Sequence, residues 1–262
     1  MRKVLSLVAI ILIGLGCAKR EHPEAKAHLD RGIALAQRGR SVEAAEAYEQ
    51  AIQIDSSYAE AHYRLGEVYK TQHDRWAAIR AFRKAIALDP NYLDAYYELG
   101  YVYSLEEKIG ESIAAFQKAL ARDSTFARGH FGLGHLYLGQ NRYPEAIQAL
   151  KKAVALDSCL VEAYCDLGRA LARQGRYAEA IEAHRKAIAH SPRFKYAHYW
   201  LGVAYTQMGD LDKAMSAFQE AIRIDPKLPK PHYNLGNLYL RRGRREEGKQ
   251  ELALFAKLNA EA

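Results

Sequence analysis

The ten histidines and three cysteines are the residues best suited to hold a metal or act as nucleophiles, and their spacing argues against both. His28, His62, His130, His198 and His232 fall in one register at multiples of 34 residues, one to a repeating unit. Helical units stack about a helix diameter, ~10 Å, apart. Neighbouring histidines in that register are therefore too far apart to share an ion. Cys159 and Cys165 belong to no CxxC, CxxCH or Cys/His ligand cluster. They read as two free small side chains. A disulfide stays open, because it needs Cα atoms within about 7 Å and an exported compartment would permit it. No nucleophile elbow, P-loop, HExxH or dinucleotide fingerprint is present. The expectation is no catalytic residue, no metal and no cofactor.

What positions the remaining side chains is a repeat. Leucine-glycine pairs end at Gly66, Gly100, Gly134, Gly168, Gly202 and Gly236, every 34 residues, and Gly32 continues the phase behind Arg31. A period of this length means stacked modules, none able to bury its apolar face alone. The register cuts residues 25–262 into seven blocks: 25–58, 59–92, 93–126, 127–160, 161–194, 195–228 and 229–262. Each block reads as two helices. Tyr96, Leu99, Gly100 and Tyr103 share one face of a first helix, and Ala78, Ile79, Phe82, Ala85 and Ile86 one face of a second. Gly39, Gly175, Gly209 and Gly243 fit C-caps between the two helices. Asp89-Pro90, Ser191-Pro192 and Asp225-Pro226 stop second helices, since proline disfavours helical geometry in the residue before it. Little is left of 262 residues for an enzyme domain.

Small residues repeat as strictly as large ones. Block position 20 holds Ala44, Ala78, Ser112, Ala146, Ala180 and Ala214, and position 27 holds Ala51, Ala85, Ala119, Ala153, Ala187 and Ala221. Small residues seven apart let helices approach closely, while Tyr69, Phe82, Tyr103, Phe116, Tyr137, Tyr205 and Phe218 fill the wider gaps. This pattern resembles the tetratricopeptide repeat (TPR). The resemblance implies an all-α fold, a right-handed α-solenoid of seven helix-turn-helix units whose first helices line a concave groove. It also implies that the position-4 histidines are packing residues and that His184 is a buried substitute for phenylalanine. In block seven Phe255 and Gly248 replace alanine at positions 27 and 20. Leu252, Leu254, Phe255 and Leu258 then either cap the array or offer a docking face.

By the same resemblance a protein or peptide partner lies along the groove, with no nucleic acid and no small-molecule substrate. The groove candidates are Tyr63, Tyr97, Tyr101, Phe131, Tyr199, Trp200, Tyr233, Asn234 and Asn237, with Tyr196 and Lys230 beside them. Aromatic rings give large contact area at low rotamer cost, and asparagines can hold a peptide backbone. Packing between first helices is the alternative for several of the rings. Glu60, Arg64, Glu67, Lys70, Asp94 and Glu98 form a mixed-charge stripe that could serve a ligand or pair with itself. Gly132 marks either a pocket or a flex point. No block has lysine at position 5, so the carboxylate clamp known in some TPR proteins is absent.

Residues 1–16 read as a lipoprotein-type signal peptide. An uncharged run from Val4 to Ala18 rises only about 22 Å as a helix, short of the ~30 Å hydrocarbon core. It ends Leu15-Gly16-Cys17, resembling a bacterial lipobox whose cysteine is diacylated, although Gly14 departs from the usual aliphatic residue. Residues 17–24 are then the lipidated cysteine and a short tether. Ala18 after the cysteine favours the periplasmic face of the outer membrane in a Gram-negative cell. The net charge of +7 is modest for this length. Its one cluster, Arg241, Arg242, Arg244 and Arg245, is a solvated turn or a contact for an anionic partner. The expected function is a membrane-tethered scaffold or adaptor of the bacterial cell envelope. A pilotin-like assembly factor for a type IV pilus or secretion-system secretin is one alternative. The other is a structural spacer contacting partners through the array ends.

Overall fold

A computed structural model describes residues 22–261. The signal peptide and Cys17 lie outside them. The described residues form fourteen helices in seven consecutive pairs: α1 Pro23–Gln37 and α2 Ser41–Ile54; α3 Ala59–Thr71 and α4 Arg75–Leu88; α5 Leu93–Leu105 and α6 Ile109–Arg122; α7 Ala127–Gly139 and α8 Tyr143–Leu156; α9 Val161–Arg173 and α10 Tyr177–His190; α11 Lys195–Met208 and α12 Leu211–Ile224; α13 Pro229–Arg241 and α14 Arg245–Ala260. None of them is long and apolar enough to cross a membrane. The chain divides into two compact units between Val102 and Tyr103, inside α5.

Within a pair, the helices approach over the repeated glycine. A Cβ on Gly66 would stand 2.7 Å from the Phe82 ring, and one on Gly202 would stand 2.6 Å from Phe218. Gly32 faces Tyr48 in the same way, Gly134 faces Leu150, Gly168 faces His184, and Gly236 faces Leu252. The glycine at block position 8 thus makes room for the bulky side chain sixteen residues later. Alanines at positions 20 and 27 of the second helices are fully buried, as with Ala44, Ala51, Ala146, Ala153, Ala214 and Ala221. In the first unit α1 packs on α3. In the second, first helices again stack on one another, α7 on α9, α9 on α11 and α11 on α13. They form one layer, with the second helices behind.

The turn between paired helices requires positive φ at position 15. Gly39, Gly175, Gly209 and Gly243 supply it at 74–83°, while His73, Glu107 and Asn141 are held at 62°, 56° and 59°. Only glycine, and to a degree asparagine, enters this region cheaply. The turn between repeats is built by aspartate. Asp55, Asp89, Asp123, Asp157 and Asp225 each accept from the backbone N–H two residues on, at 2.8–2.9 Å, an Asx turn. The position-4 histidines close the same turn. His62, His130, His198 and His232 donate Nε2–H to the carbonyl six residues earlier, at 2.9–3.2 Å. Tyrosine hydroxyls at position 11 pin one repeat to the preceding one. Tyr69 donates to Glu49, Tyr205 accepts from Arg185, and Tyr239 accepts from Gln219.

Cys159 is exposed, Cys165 is buried, and both are free thiols. At the chain's last pair the Tyr233 and Phe255 rings lie 5.1 Å apart, so Phe255 covers a ring that an alanine would leave bare. Leu254 remains 45% exposed. Arg242 pairs with Asp212 at 2.9 Å, and Arg244 pairs with Glu247.

Two substitutions of opposite sign test this construction in urea titrations. Gly202→Ala drives a methyl into the Phe218 ring and should cost about 1–3 kcal/mol. His73→Gly relieves a left-handed residue and should gain about 1 kcal/mol.

Candidate functional site

Four first helices of the second unit, α7, α9, α11 and α13, surround a cavity of about 350 Å³. Phe131 and His135 come from α7, and Glu162, Cys165, Asp166 and Arg169 from α9. Tyr196, Tyr199 and Trp200 come from α11 and Lys230 from α13, with Phe194 and Leu228 at the N-caps of α11 and α13. Helical spacing brings them together: 162, 165, 166 and 169 are offsets 0, 3, 4 and 7 on one face.

The cavity follows from one small side chain. Block position 5 carries a ring in five repeats, at Tyr63, Tyr97, Phe131, Tyr199 and Tyr233, but the fifth repeat has Cys165. A thiol leaves most of a ring's volume empty between Phe131 and Tyr199. Burial and the neighbouring Asp166 charge push the Cys165 pKa up. The thiol is inert, and its role is its size.

A buried carboxylate organises the polar wall. Asp166 is only 6% exposed. Its Oδ1 accepts from Arg169 Nη1 at 2.6 Å and its Oδ2 from His135 Nδ1 at 2.7 Å. Such a charge is expensive to bury unless both oxygens are met, and here both are. The Arg169 guanidinium lies 4.8 Å from the centroid of the Trp200 ring, a cation–π contact. Trp200 meets Tyr199 edge-on at 4.8 Å. Burial raises the Tyr199 phenol pKa, keeping that hydroxyl protonated.

Of the sequence-derived candidates, the structure brings Phe131, Tyr199 and Trp200 together at this cavity, with Tyr196 and Lys230. Tyr199 is buried and forms wall rather than projection. Asn234 and Asn237 lie on the same helix as Lys230 but donate their amides to the carbonyls of Lys230 and Tyr233, each at 2.9 Å. Tyr233 is 48% exposed and leans on Phe255. Tyr63, Tyr97 and Tyr101 sit in the first unit. Tyr63 is buried against Phe82 and Tyr92, Tyr97 is half-buried, and Tyr101 is 39% exposed with Lys70 Nζ 5.7 Å from its ring centroid. The mixed-charge stripe pairs with itself: Arg64 with Glu67 at 3.0 Å and Glu60 at 3.3 Å, and Lys70 with Glu98. Gly132 opens no pocket, because the Phe116 ring fills the space where its Cβ would be, 2.5 Å away.

Sequence reasoning passed over Glu162, His135, Asp166 and Arg169. A usable signal existed, since Asp166 and Arg169 are opposite charges three apart, next to the one ringless position 5 flanked by ringed repeats.

A family model described as tetratricopeptide repeat matches residues 59–92, and one described as TPR repeat matches residues 25–72. A third, described as cilia and flagella-associated protein 70 C-terminal domain, matches residues 105–260, more than half the chain. The chain belongs to the tetratricopeptide-repeat family. No curated protein sequence matches it. Among solved structures it is similar to MamA protein, at 30% identity over 64% of this chain and 92% of that one, with a TM-score of 0.53. It is also similar to YrrB, described as a TPR protein with an unusual peptide-binding site, at 27% identity over 71% and 96%, TM-score 0.54. Pseudomonas aeruginosa PilF, at 20% identity over 78% and 93% with a TM-score of 0.69, shares the fold. As a TPR protein, the chain is a protein-interaction scaffold.

One TPR position departs at an energetic cost. His184 takes the place of Phe82 and Phe218, is 1% exposed, and has no hydrogen-bond partner for either ring nitrogen. Burial, with the Arg169 charge adding, depresses its pKa from 6.5 to about 3. The folded state therefore keeps the ring neutral, while the unfolded chain takes up a proton below pH 6.5. Stability is lost as pH falls through that window, by about 1.4 kcal/mol per unit. His184→Phe should be more stable than the parent at pH 7, and the gap should widen by about 2 kcal/mol at pH 5, read from paired urea titrations.

Proposed function

We propose that this protein is a membrane-tethered adaptor of the bacterial cell envelope that holds a peptide segment of a partner protein against its first-helix layer. The carrying observation is the aromatic cavity between Phe131 and Lys230, with its oriented Arg169. It joins apolar walls to a few fixed polar groups, as ligand sites do, and lies on four successive first helices. The likeness to a TPR protein described as peptide-binding supports the reading. The tether rests on the sequence alone: the short apolar run ending at Cys17.

A photo-crosslinking residue at position 196, on the cavity's rim, tests the groove in intact cells. One dominant envelope protein should be captured from 196, with weaker or no capture from position 101. A secretin as that protein would narrow the role to a pilotin. Product only from a probe at 254 would move recognition to the array end and defeat the groove reading. For the tether, Cys17→Ala should shift the protein from the membrane fraction to the soluble one and abolish labelling by a fatty-acid analogue. Unchanged fractionation would remove the lipid anchor.

A further inference from the structure

A second cavity, of about 540 Å³, lies between the second helices α8 and α10 over α9. Its exposed rim, with Lys151, Ala178, Glu182 and Lys186, belongs to those second helices. The repeat rule says what is missing there. Every repeat after the first has tyrosine at position 11, at Tyr69, Tyr103, Tyr137, Tyr205 and Tyr239, except the fifth, which has Leu171. The hydroxyls of Tyr69, Tyr205 and Tyr239 bond to position 25 of the preceding repeat, at Glu49, Arg185 and Gln219. Where position 16 is arginine, the ring lies against it: Arg142 is 4.4 Å from the Tyr137 centroid and Arg244 is 4.2 Å from that of Tyr239. The fifth repeat keeps both polar neighbours, Lys151 at position 25 of repeat four and Arg176 at its own position 16, without the phenol. A leucine stops short of the place where the phenol oxygen would sit. Leu171 and Lys151 therefore border a gap that a ring fills in the other repeats.

The charges of this lining select no ion. Lys151 and Lys186 are matched by Glu179 and Glu182, and both carboxylates are already held, Glu179 by Arg176 at 2.6 Å and Glu182 by Arg185 at 2.9 Å. Val154, Leu167 and Leu171 supply apolar surface. Such walls suit a neutral ring with a polar tip. Lys151 decides which ring, because an ammonium only donates. Phenylalanine offers it nothing, an indole N–H is itself a donor, and a phenol oxygen accepts. We infer that the cavity receives a tyrosine side chain from a partner protein. The ring lies over Leu171 and the hydroxyl accepts from Lys151, as Tyr205 accepts from Arg185. This site belongs to the second-helix layer, whereas the aromatic cavity belongs to the first, so it does not rest on the groove reading. With both occupied, the second unit bridges two partners.

The test is methyl NMR on the full chain in detergent, with labelled leucines and two probes, N-acetyl-tyrosinamide and N-acetyl-phenylalaninamide. The Leu171 signals are identified by their loss in Leu171→Met. The tyrosine probe should shift them at about fivefold lower concentration than the phenylalanine probe, the difference one hydrogen bond makes. Lys151→Met should bring the two probes within about twofold of each other. In intact cells, a photo-crosslinking residue at the exposed position 178 should capture a protein whose linked peptide contains tyrosine. Leu171→Tyr, which restores the ring of the other repeats, should cancel that capture while leaving the circular-dichroism melt and any capture from 196 unchanged. Unmoved Leu171 methyls, equal binding of the two probes by the parent chain, or capture from 178 that is absent or indifferent to Leu171→Tyr would overturn the inference. None of these outcomes bears on the groove, which position 196 reports by itself.

Discussion

The contact on which this structure depends is the one between a missing side chain and a large one. At block position 8 a glycine removes the Cβ, and sixteen residues later a ring or leucine occupies the gap. At Gly66 and Gly202 the gap is so tight that a methyl would stand within 2.7 Å of the ring. This close approach sets the distance between paired helices. Second-helix alanines can then be fully buried at positions 20 and 27, and each repeat offers the next a flat apolar face. Interiors packed to this density do not tolerate a one-carbon change without movement. The 34-residue period is the sequence-level trace of that single steric rule.

The turns obey local rules of their own. Position 15 has positive φ whether or not glycine is present, so the helix pair imposes its geometry on His73 and Glu107 against their preference. The Asx turn at the inter-repeat aspartates and the histidine bond to the same turn satisfy backbone groups that helix ends leave unpaired. Four of the position-4 histidines, His62, His130, His198 and His232, which composition alone would offer as metal ligands, are hydrogen-bonding struts.

Much of this was legible in the sequence, because every repeat states the pattern again. The helix pairs, the small-residue positions and the glycine turns follow from period alone, and four of the cavity's rings, Phe131, Tyr196, Tyr199 and Trp200, follow from their block positions. Of the polar side of the site, only Lys230 is legible in this way; Glu162, His135, Asp166 and Arg169 are not. Arg169 and Asp166 look like an ordinary i, i+3 pair, and their placement over Trp200 depends on how α9 stacks against α11. The pocket reading of Gly132 fails for a related reason, since a glycine signals space in the sequence and only packing shows that Phe116 fills it. Asn234 and Asn237 are ambiguous in the same way, since an amide free for a ligand and one bonded to its own helix have the same sequence.

Three departures from the repeat rules fall together in the fifth repeat. It has the thiol where five others have a ring, the buried carboxylate Asp166, which the third repeat matches with Glu98, and the unpartnered His184 beneath Gly168. Each is a poorer choice for folding than the residue another repeat uses at that position. Cavities, buried charges and unsatisfied ring nitrogens all lower stability. An array whose units share one architecture supplies its own reference state, so such a cluster stands out against the repeats around it. Local rules are broken in native proteins mainly where another demand competes with stability. Two of these departures build the cavity: Cys165 hollows it, and Asp166 aims Arg169 into contact with Trp200. His184 is linked to them by charge, since Arg169 and Asp166 both act on its pKa. The repeat that carries the thiol, the buried carboxylate and the unpartnered histidine is therefore also the one that contributes Glu162, Cys165, Asp166 and Arg169 to the cavity lining.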